Sequence, residues 1–378
     1  MLYALIDLRL LFELQPTPTG FPRFQELNAI VQRLDPTHQV LHRLLRLGSG
    51  VSDAEVQRTI PAAVLHAFVE AQVLSRSSDG LWQSTGCLLL PIDGLLVFVG
   101  IPPSYPTSSK ACRPWFDLSS FVLARALPTS LDGERMLDIC SGSGVQALLC
   151  ARRGAMSIVG LEIDPEAVDT ARANAIFNGL ETRVEFRISN ALAALRDDER
   201  FDFVVCNTPY APTLAGPAAP ASPAELGNAV LMGLLRELPH YLSPRGRGVL
   251  GLWRTIGPGA WTYHRHAVIE QLARYGFTAL AFVDRAPDTL ESVMRIVHAD
   301  LSERSTIVAD GSAIEMAIRT MLLRERSAGG FYNEVITFRR GRGISAMPGA
   351  AFGLTSGMSH SDRQDATPET ISSAVGAS

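Results

Sequence analysis

The sequence predicts an α/β protein: a mostly parallel sheet with helices on both faces, preceded by a largely helical module that ends in β-hairpins. Three observations predict it. From about residue 116 to 340, short apolar strand-like runs alternate with helical stretches, the pattern of a parallel sheet with crossover helices. The stretch "RMLDICSGSGVQALLCARRG" reads as a buried strand, a glycine-rich turn and a helix. Residues 1 to about 100 carry helical periodicity and then Asp-Gly turn signals. At 378 residues the chain has room for two domains, and its 47% hydrophobic content supplies a sizeable core.

In the N-terminal region, "HQVLHRLLRLG" has apolar residues at helical spacing and stops at Gly48. "SDAEVQRTI" starts with Ser52 and has Glu55 three residues later, a capping box. "PAAVLHAFVEAQVL" opens with Pro61 at a helix-start position. "SRSSDGLWQS" and "CLLLPIDGLLVFVG" each place Asp-Gly between short extended pieces, so each is a hairpin. Three helices followed by hairpins resemble a winged helix, which implies a platform for a partner or substrate. The domain boundaries expected are 1–101 for this recognition module, 102–115 for a Pro/Ser-rich connector, 116–341 for the α/β domain and 342–378 for a disordered tail without hydrophobic period.

Composition excludes several classes. Net charge is −4, which argues against strong non-specific nucleic-acid binding. Lys110 is the sole lysine, so a phosphate-binding lysine loop or a Schiff base is nearly excluded. The five cysteines form no C-x-x-C pair and fit reduced thiols in a cytoplasmic protein. The start, "MLYALIDLRLLFEL", carries Asp7, Arg9 and Glu13 and is not read as a signal peptide. No uninterrupted apolar stretch is long enough to span a bilayer, so no membrane partner is expected.

The strand ends of the second half carry the chemistry. Gly142 and Gly144 let backbone amides approach a ligand at a helix N-terminus. Ala147 stands at the third position of a dinucleotide fingerprint, so the turn alone leaves the cofactor open. "SIVGLEIDPEAVDTARANAIFNGL" ends its strand at Glu162, 20 positions after Gly142, where an acid can hold both ribose hydroxyls. "VEFRISNALAAL" ends at Ser189-Asn190, where an amide can bond an adenine edge. A fourth strand, "FDFVVC", stops on Asn207-Thr208-Pro209-Tyr210.

Taken together, these strand ends resemble the class I S-adenosylmethionine-dependent methyltransferases over residues 116 to 340. The resemblance implies a Rossmann-like, seven-stranded, mostly parallel sheet and S-adenosyl-L-methionine as cofactor. It implies cofactor contacts from Asp138, Cys140, Gly142, Gly144, Glu162, Ile163, Asn190, Ala191 and Asn207, and no metal. Within the family, an Asn-Pro-Pro-Tyr-type motif marks members that methylate nitrogen on a planar group. Here Asn207, Thr208, Pro209 and Tyr210 fill it, with Thr208 in place of the first proline; the carbonyl is kept and a less rigid loop is expected. The chain most resembles the release-factor glutamine and ribosomal RNA guanine-N2 methyltransferases.

The chemistry explains the motif. A planar nitrogen has its lone pair delocalised and is a weak nucleophile. Asn207 and the Thr208 carbonyl can each accept one N–H, Pro209 stiffens the turn and Tyr210 can stack on the planar face. Positioning and preorganised polarity then supply most of the rate.

Elsewhere, "GRGVLGLWRTIGPGAWTYHRH" reads as a fifth strand and a loop. Trp253, Arg254, Trp261, Tyr263, His264 and His266 would rim a substrate mouth there. The histidines sit at i, i+2 without acidic or thiol partners, against a metal site. "RPWFDLSS" offers Asp117 and Trp115 as ligand contacts. The methyl acceptor stays open among protein, RNA and small molecule. Competing readings are a specialised-metabolite methyltransferase, a nicotinamide oxidoreductase, which has no use for the Asn207–Tyr210 turn, and a winged-helix regulator that senses S-adenosylmethionine. Against the last, residues 1–130 hold ten basic and ten acidic residues, so no basic face is assured.

Overall fold

The structure is a computed structural model that describes residues 24–101, 118–208, 223–256, 260–283 and 330–341. The first described portion begins with four helices. They are α1 (Phe24–Val31), α2 (Pro36–Leu45), α3 (Asp53–Thr59) and α4 (Ala62–Glu70). Local sequence sets their starts. The Asp35 carboxylate accepts from the N–H groups of Thr37 and His38 and so caps α2. Ser52 and Glu55 form the reciprocal capping box of α3. Pro61 precedes α4.

Two hairpins follow. Strands β1 (Leu74–Arg76) and β2 (Trp82–Ser84) pair antiparallel, and Val51 bridges to Trp82. Strands β3 (Cys87–Ile92) and β4 (Leu95–Gly100) turn on Asp93 and Gly94, at φ 46° and 79°. Positive φ at both central residues is the turn whose twist matches a hairpin. Alternate faces of β3 enter different cores. Leu89 packs with Val40, Leu44, Val56 and Trp82, whereas Leu88 and Leu90 join the core beneath the large sheet.

That sheet has seven strands in the order β10-β11-β9-β8-β5-β6-β7. In chain order they are β5 (Arg135–Ile139), β6 (Ser157–Glu162), β7 (Val184–Ile188), β8 (Phe201–Asn207), β9 (Leu242–Ile256), β10 (Phe277–Val283) and β11 (Gly330–Arg340). Strands β5 to β9 run parallel, and β11 lies antiparallel to both its neighbours. The intervening helices are α5 (Leu118–Ala126), α6 (Val145–Arg152), α7 (Pro165–Phe177), α8 (Pro223–Tyr241) and α9 (Ala260–Arg274). Successive strand residues serve opposite faces. Met136 enters one core with Leu148 and Val168, and Leu137 and Ile139 enter the other with Leu231 and Leu235. Both faces are buried, which is why these strands read as continuous apolar runs.

Helix α7 attaches the hairpin to the sheet domain. Asn174 Oδ1 accepts from Phe98 N at 2.7 Å and its Nδ2 donates to Phe98 O at 2.8 Å. One turn later, Asn178 repeats the pair with Leu96 N at 3.0 Å and Leu96 O at 2.8 Å. The i, i+4 spacing stacks the two amides on one helix face, where they substitute for a neighbouring strand along the free edge of β4.

One expectation changes. Trp261, Tyr263, His264 and His266 lie within helix α9, not in a loop after the fifth strand. The strand itself runs on to Ile256 because β11 pairs with it, Asn333 opposite Trp253 and Tyr332 opposite Arg254. Long-range pairing of this kind leaves no local signature. The connector, the C-terminal tail, Trp115 and Asp117 lie outside the described residues.

Candidate functional site

Strand β5 is the switch point of the sheet. From it the chain goes outward to β6 and β7 on one side, then crosses back to β8 on the other. Ligands of open α/β sheets bind at the carboxyl ends beside such a point. The register places Ile139 beside Cys206 and Glu162 beside Ile188, so the ends of β5, β6, β7 and β8 share one rim.

Two residues bound the turn after β5. Cys140 takes φ 60° and Gly144 takes φ 80°, with Gly142 at 53° between them. A non-glycine at positive φ is costly, and such strain gathers at ligand-clasping turns. Ala191, after β7, has φ 52° on the same rim. Gly144 is also sterically required: a Cβ there would come within 2.6 Å of Phe186 Cζ. It caps α6 without any side-chain bond and sets the N-terminus of that helix just after the end of β5.

Asp138 lies beneath this turn. Its side chain is 1% exposed and accepts from Ala147 N at 3.1 Å in the first turn of α6. Burial pushes the Asp138 carboxyl up to about 8; the Ala147 N–H opposes the shift and the charge of Glu162 adds to it. The geometry makes Asp138 a buried support of the turn.

Glu162 joins two strand ends. Its Oε2 accepts from Gly142 N at 2.9 Å, and its Oε1 accepts from Ile163 N at 2.8 Å and Asp164 N at 3.2 Å. Three donors do not exhaust a carboxylate, which takes about four. Beside it, Ile163 is 63% and Ile188 56% exposed, an apolar surface at the ends of β6 and β7. Asn190 is exposed next to them.

At the end of β8, Asn207 Nδ2 donates to Ser119 Oγ and Ser120 Oγ of α5, both at 3.2 Å. Asn207 Oδ1 is buried and has no partner among the described residues; Ser141 Oγ and Gln146 Oε1 share that condition. A buried, unmatched polar atom costs about 1–3 kcal/mol, so the Asn207 oxygen at the end of β8 is a candidate acceptor for a ligand that brings donors.

The loop expected to be less rigid lies outside the described residues, but Thr208 itself is described. It is buried, its Oγ1 donates to Gly251 O at 2.8 Å, and its N–H points at the same oxygen at 3.4 Å. A proline there makes neither bond. Thr208 replaces ring rigidity with a stitch from β8 to β9. Pro209 and Tyr210 lie outside the described residues.

The rim carries an anchored acid, an exposed apolar surface with an amide beside it, and at Asn207 an acceptor oxygen without a partner among the described residues, groups that could hold a ribose, an adenine and a ligand with N–H donors. Sequence reading missed Ser119, Ser120 and Gln146. Ser119 and Ser120 lie 88 and 87 positions from Asn207, and no local spacing signals such contacts. Among the described residues, no cluster of His, Cys, Asp or Glu can hold a metal, and no helix is long and apolar enough to cross a membrane.

Residues 111–219 match the family model of the methyltransferase small domain. A ribosomal protein L11 methyltransferase of Geobacter sulfurreducens is 34% identical over 140 residues, 36% of this chain and 45% of the relative. A release factor glutamine methyltransferase of Koribacter versatilis is 41% identical over 76 residues, 20% of this chain and 26% of the relative. The chain thus spans less than half the length of these relatives. A solved methyltransferase from Thiobacillus denitrificans, in complex with S-adenosyl-L-homocysteine, aligns at 16% identity and TM-score 0.39, over 59% of this chain and 90% of that one. The matched domain bears out the resemblance to the class I S-adenosylmethionine-dependent methyltransferases.

Proposed function

We propose that the protein transfers a methyl group from S-adenosylmethionine to a nitrogen on a planar group of a protein acceptor. The observation that carries this reading is the buried Oδ1 of Asn207, an acceptor at the switch-point rim without a partner among the described residues. S-adenosylmethionine, when bound, supplies a methyl made electrophilic by its sulfonium. Glu162 would hold the ribose hydroxyls, Ile163 and Ile188 the faces of the adenine, and Asn190 its edge. The Cys140–Gly144 turn and the N-terminus of α6 would receive the amino-acid end, with Ala191 shaping the opposite lip.

Asn207 Oδ1 accepts an N–H from the target. That draws electron density onto the nitrogen and fixes its direction of approach. The Thr208 carbonyl is the second acceptor in this reading, Pro209 stiffens the chain and Tyr210 stacks on the planar group. No strong base is needed beforehand; the nitrogen sheds its proton to solvent after transfer. The rate arises from positioning and preorganised polarity.

Residues 1–101 serve in this reading as a winged-helix-like recognition module, joined through 102–115 to the methyl-transferring unit 116–341. Two facts favour protein over nucleic acid as the acceptor. Helix α4, which precedes the first hairpin, would be the reading helix of such a module, yet "AAVLHAFVE" has no Arg or Lys, and Val64 and Val69 are 43% and 41% exposed. Beside it lies a cavity of about 560 Å³ lined by Ile60, Leu65, Val69 and Trp82 among others. The two sequence relatives, moreover, are named for protein acceptors.

The test is incubation of the purified protein with methyl-tritiated S-adenosylmethionine and cell extract, followed by separation into protein, RNA and small molecules. Label in the protein fraction on an amide nitrogen or another planar nitrogen is expected. Label in RNA or in small molecules overturns the acceptor class. Absence of cofactor binding by calorimetry overturns the methyltransferase reading itself.

A further inference from the structure

We propose that Ser119 and Ser120 are positioning residues that set the polarity of the acceptor site by fixing which end of the Asn207 amide faces it. This rests on the role given to Asn207 above and adds the device that makes the role possible.

An asparagine amide has two ends of nearly equal size and opposite hydrogen-bonding character. Turned one way it presents an oxygen that accepts N–H; turned the other it presents an NH2 that repels N–H. A methyl acceptor carrying N–H groups needs the oxygen. The structure shows what holds it there. Both serine hydroxyls lie 3.2 Å from Asn207 Nδ2 and accept from it. With its nitrogen turned to α5, the amide has Oδ1 left to offer, and that oxygen has no partner among the described residues.

The serines are themselves anchored. Ser119 is 7% exposed, and Gln146 Nε2 donates to Ser120 O at 2.8 Å. Gln146 belongs to the first turn of α6, directly after the Cys140–Gly144 turn. It is 4% exposed, and its Oε1 also lacks a partner among the described residues. The first turn of α5 thus links the glycine turn of β5 to the end of β8. The same contacts that orient Asn207 register it against the turn proposed to hold the cofactor. Ligands that offer only acceptor atoms at Oδ1 are rejected, because two oxygens then face each other without a proton between them.

The experiment has two arms. In protein labelled with [15N]asparagine, the side-chain NH2 of Asn207 is identified by its loss in Asn207→Asp. Its exchange with solvent is slow in the wild type, and about 10-fold or more faster in the Ser119→Ala/Ser120→Ala double variant. In the second arm, tritiated methyl transfer to the protein fraction of cell extract is followed at saturating S-adenosylmethionine. The double alanine variant is expected to lose on the order of 10²-fold in rate, the scale of a small misplacement of a reacting group. Its calorimetric affinity for the cofactor and its circular dichroism stay those of the wild type. A Ser119→Thr/Ser120→Thr variant keeps both hydroxyls and recovers most of the rate.

Undiminished transfer by the double alanine variant overturns the proposal, as does unchanged exchange. Should the alanine variant not fold, slow exchange and active transfer in the threonine variant support the proposal, and the loss of both overturns it. If the wild type transfers no label to any fraction, the proposed function fails, while the exchange arm still decides by itself whether the serines hold the amide.

Discussion

Gly142 N donates to Glu162 Oε2 at 2.9 Å, a bond that fastens the glycine turn of β5 to the end of β6 across 20 residues. The acid is therefore a structural part of the turn as well as a candidate ribose ligand. Glu162→Ala is expected to weaken S-adenosylmethionine binding by about 1.5–3 kcal/mol, the scale of a hydrogen bond to a charged group. Isothermal calorimetry reads this as a rise in Kd of roughly 10- to 100-fold. Wild-type affinity in the alanine variant removes Glu162 from the cofactor site.

Gly144→Ala tests the turn itself. The new Cβ would lie 2.6 Å from Phe186 Cζ and 3.1 Å from Ala171 Cβ, at φ 80°. Left-handed backbone costs about 1–2 kcal/mol for an L-residue and overpacking a further 1–3. Chemical denaturation should show a loss of about 2–5 kcal/mol on those two scales. Adding Phe186→Leu relieves the overlap and not the backbone strain, so it should restore only part. Full recovery indicates that the backbone carries no strain.

Asp138 gives the molecule a pH signature. Burial holds its carboxyl near 8, well above the ordinary 3.8 of an unfolded chain. The raised group favours the fold fully below the unfolded value, and the contribution is lost as pH rises toward the folded value. Asp138→Asn keeps an acceptor for Ala147 N and removes the titration. Urea denaturation of the two proteins across pH 5 to 8 should show the wild type losing stability relative to the variant as pH rises. A difference that is flat or of opposite slope contradicts a neutral Asp138.

The bonds from Asn174 to Phe98 and from Asn178 to Leu96 predict where the chain can be cut. Asn174 is fully buried, and a protein starting near Pro102 strands its amide along with the core positions facing Leu88, Leu90, Val97 and Val99. That truncation is expected to aggregate. One starting at Cys87, which keeps the hairpin, should stay soluble and bind cofactor while losing acceptor methylation. Size-exclusion chromatography and calorimetry distinguish the two; a soluble, cofactor-binding protein from Pro102 sinks the prediction.

Much of the molecule was legible in the sequence because its determinants are local. The Ser52–Glu55 cap, the Asp93-Gly94 turn and the strand–turn–helix at 136–153 are each fixed by residues within a few positions of one another. Short continuous apolar runs set against helical spacing separated strands from helices, and acids and amides at strand ends named Glu162, Asn190 and Asn207 as candidates. What the tertiary structure decided are relations between distant residues. Nothing near Ser119 and Ser120 indicates that Asn207, nearly ninety residues on, binds them. Nothing near Thr208 indicates that Gly251 accepts its hydroxyl. Nothing near "AWTYHRH" tells that β11 holds the preceding strand to Ile256 and that a helix follows. A hydrogen bond is specified by two partners, and when the chain brings them together only by folding, neither carries the information alone.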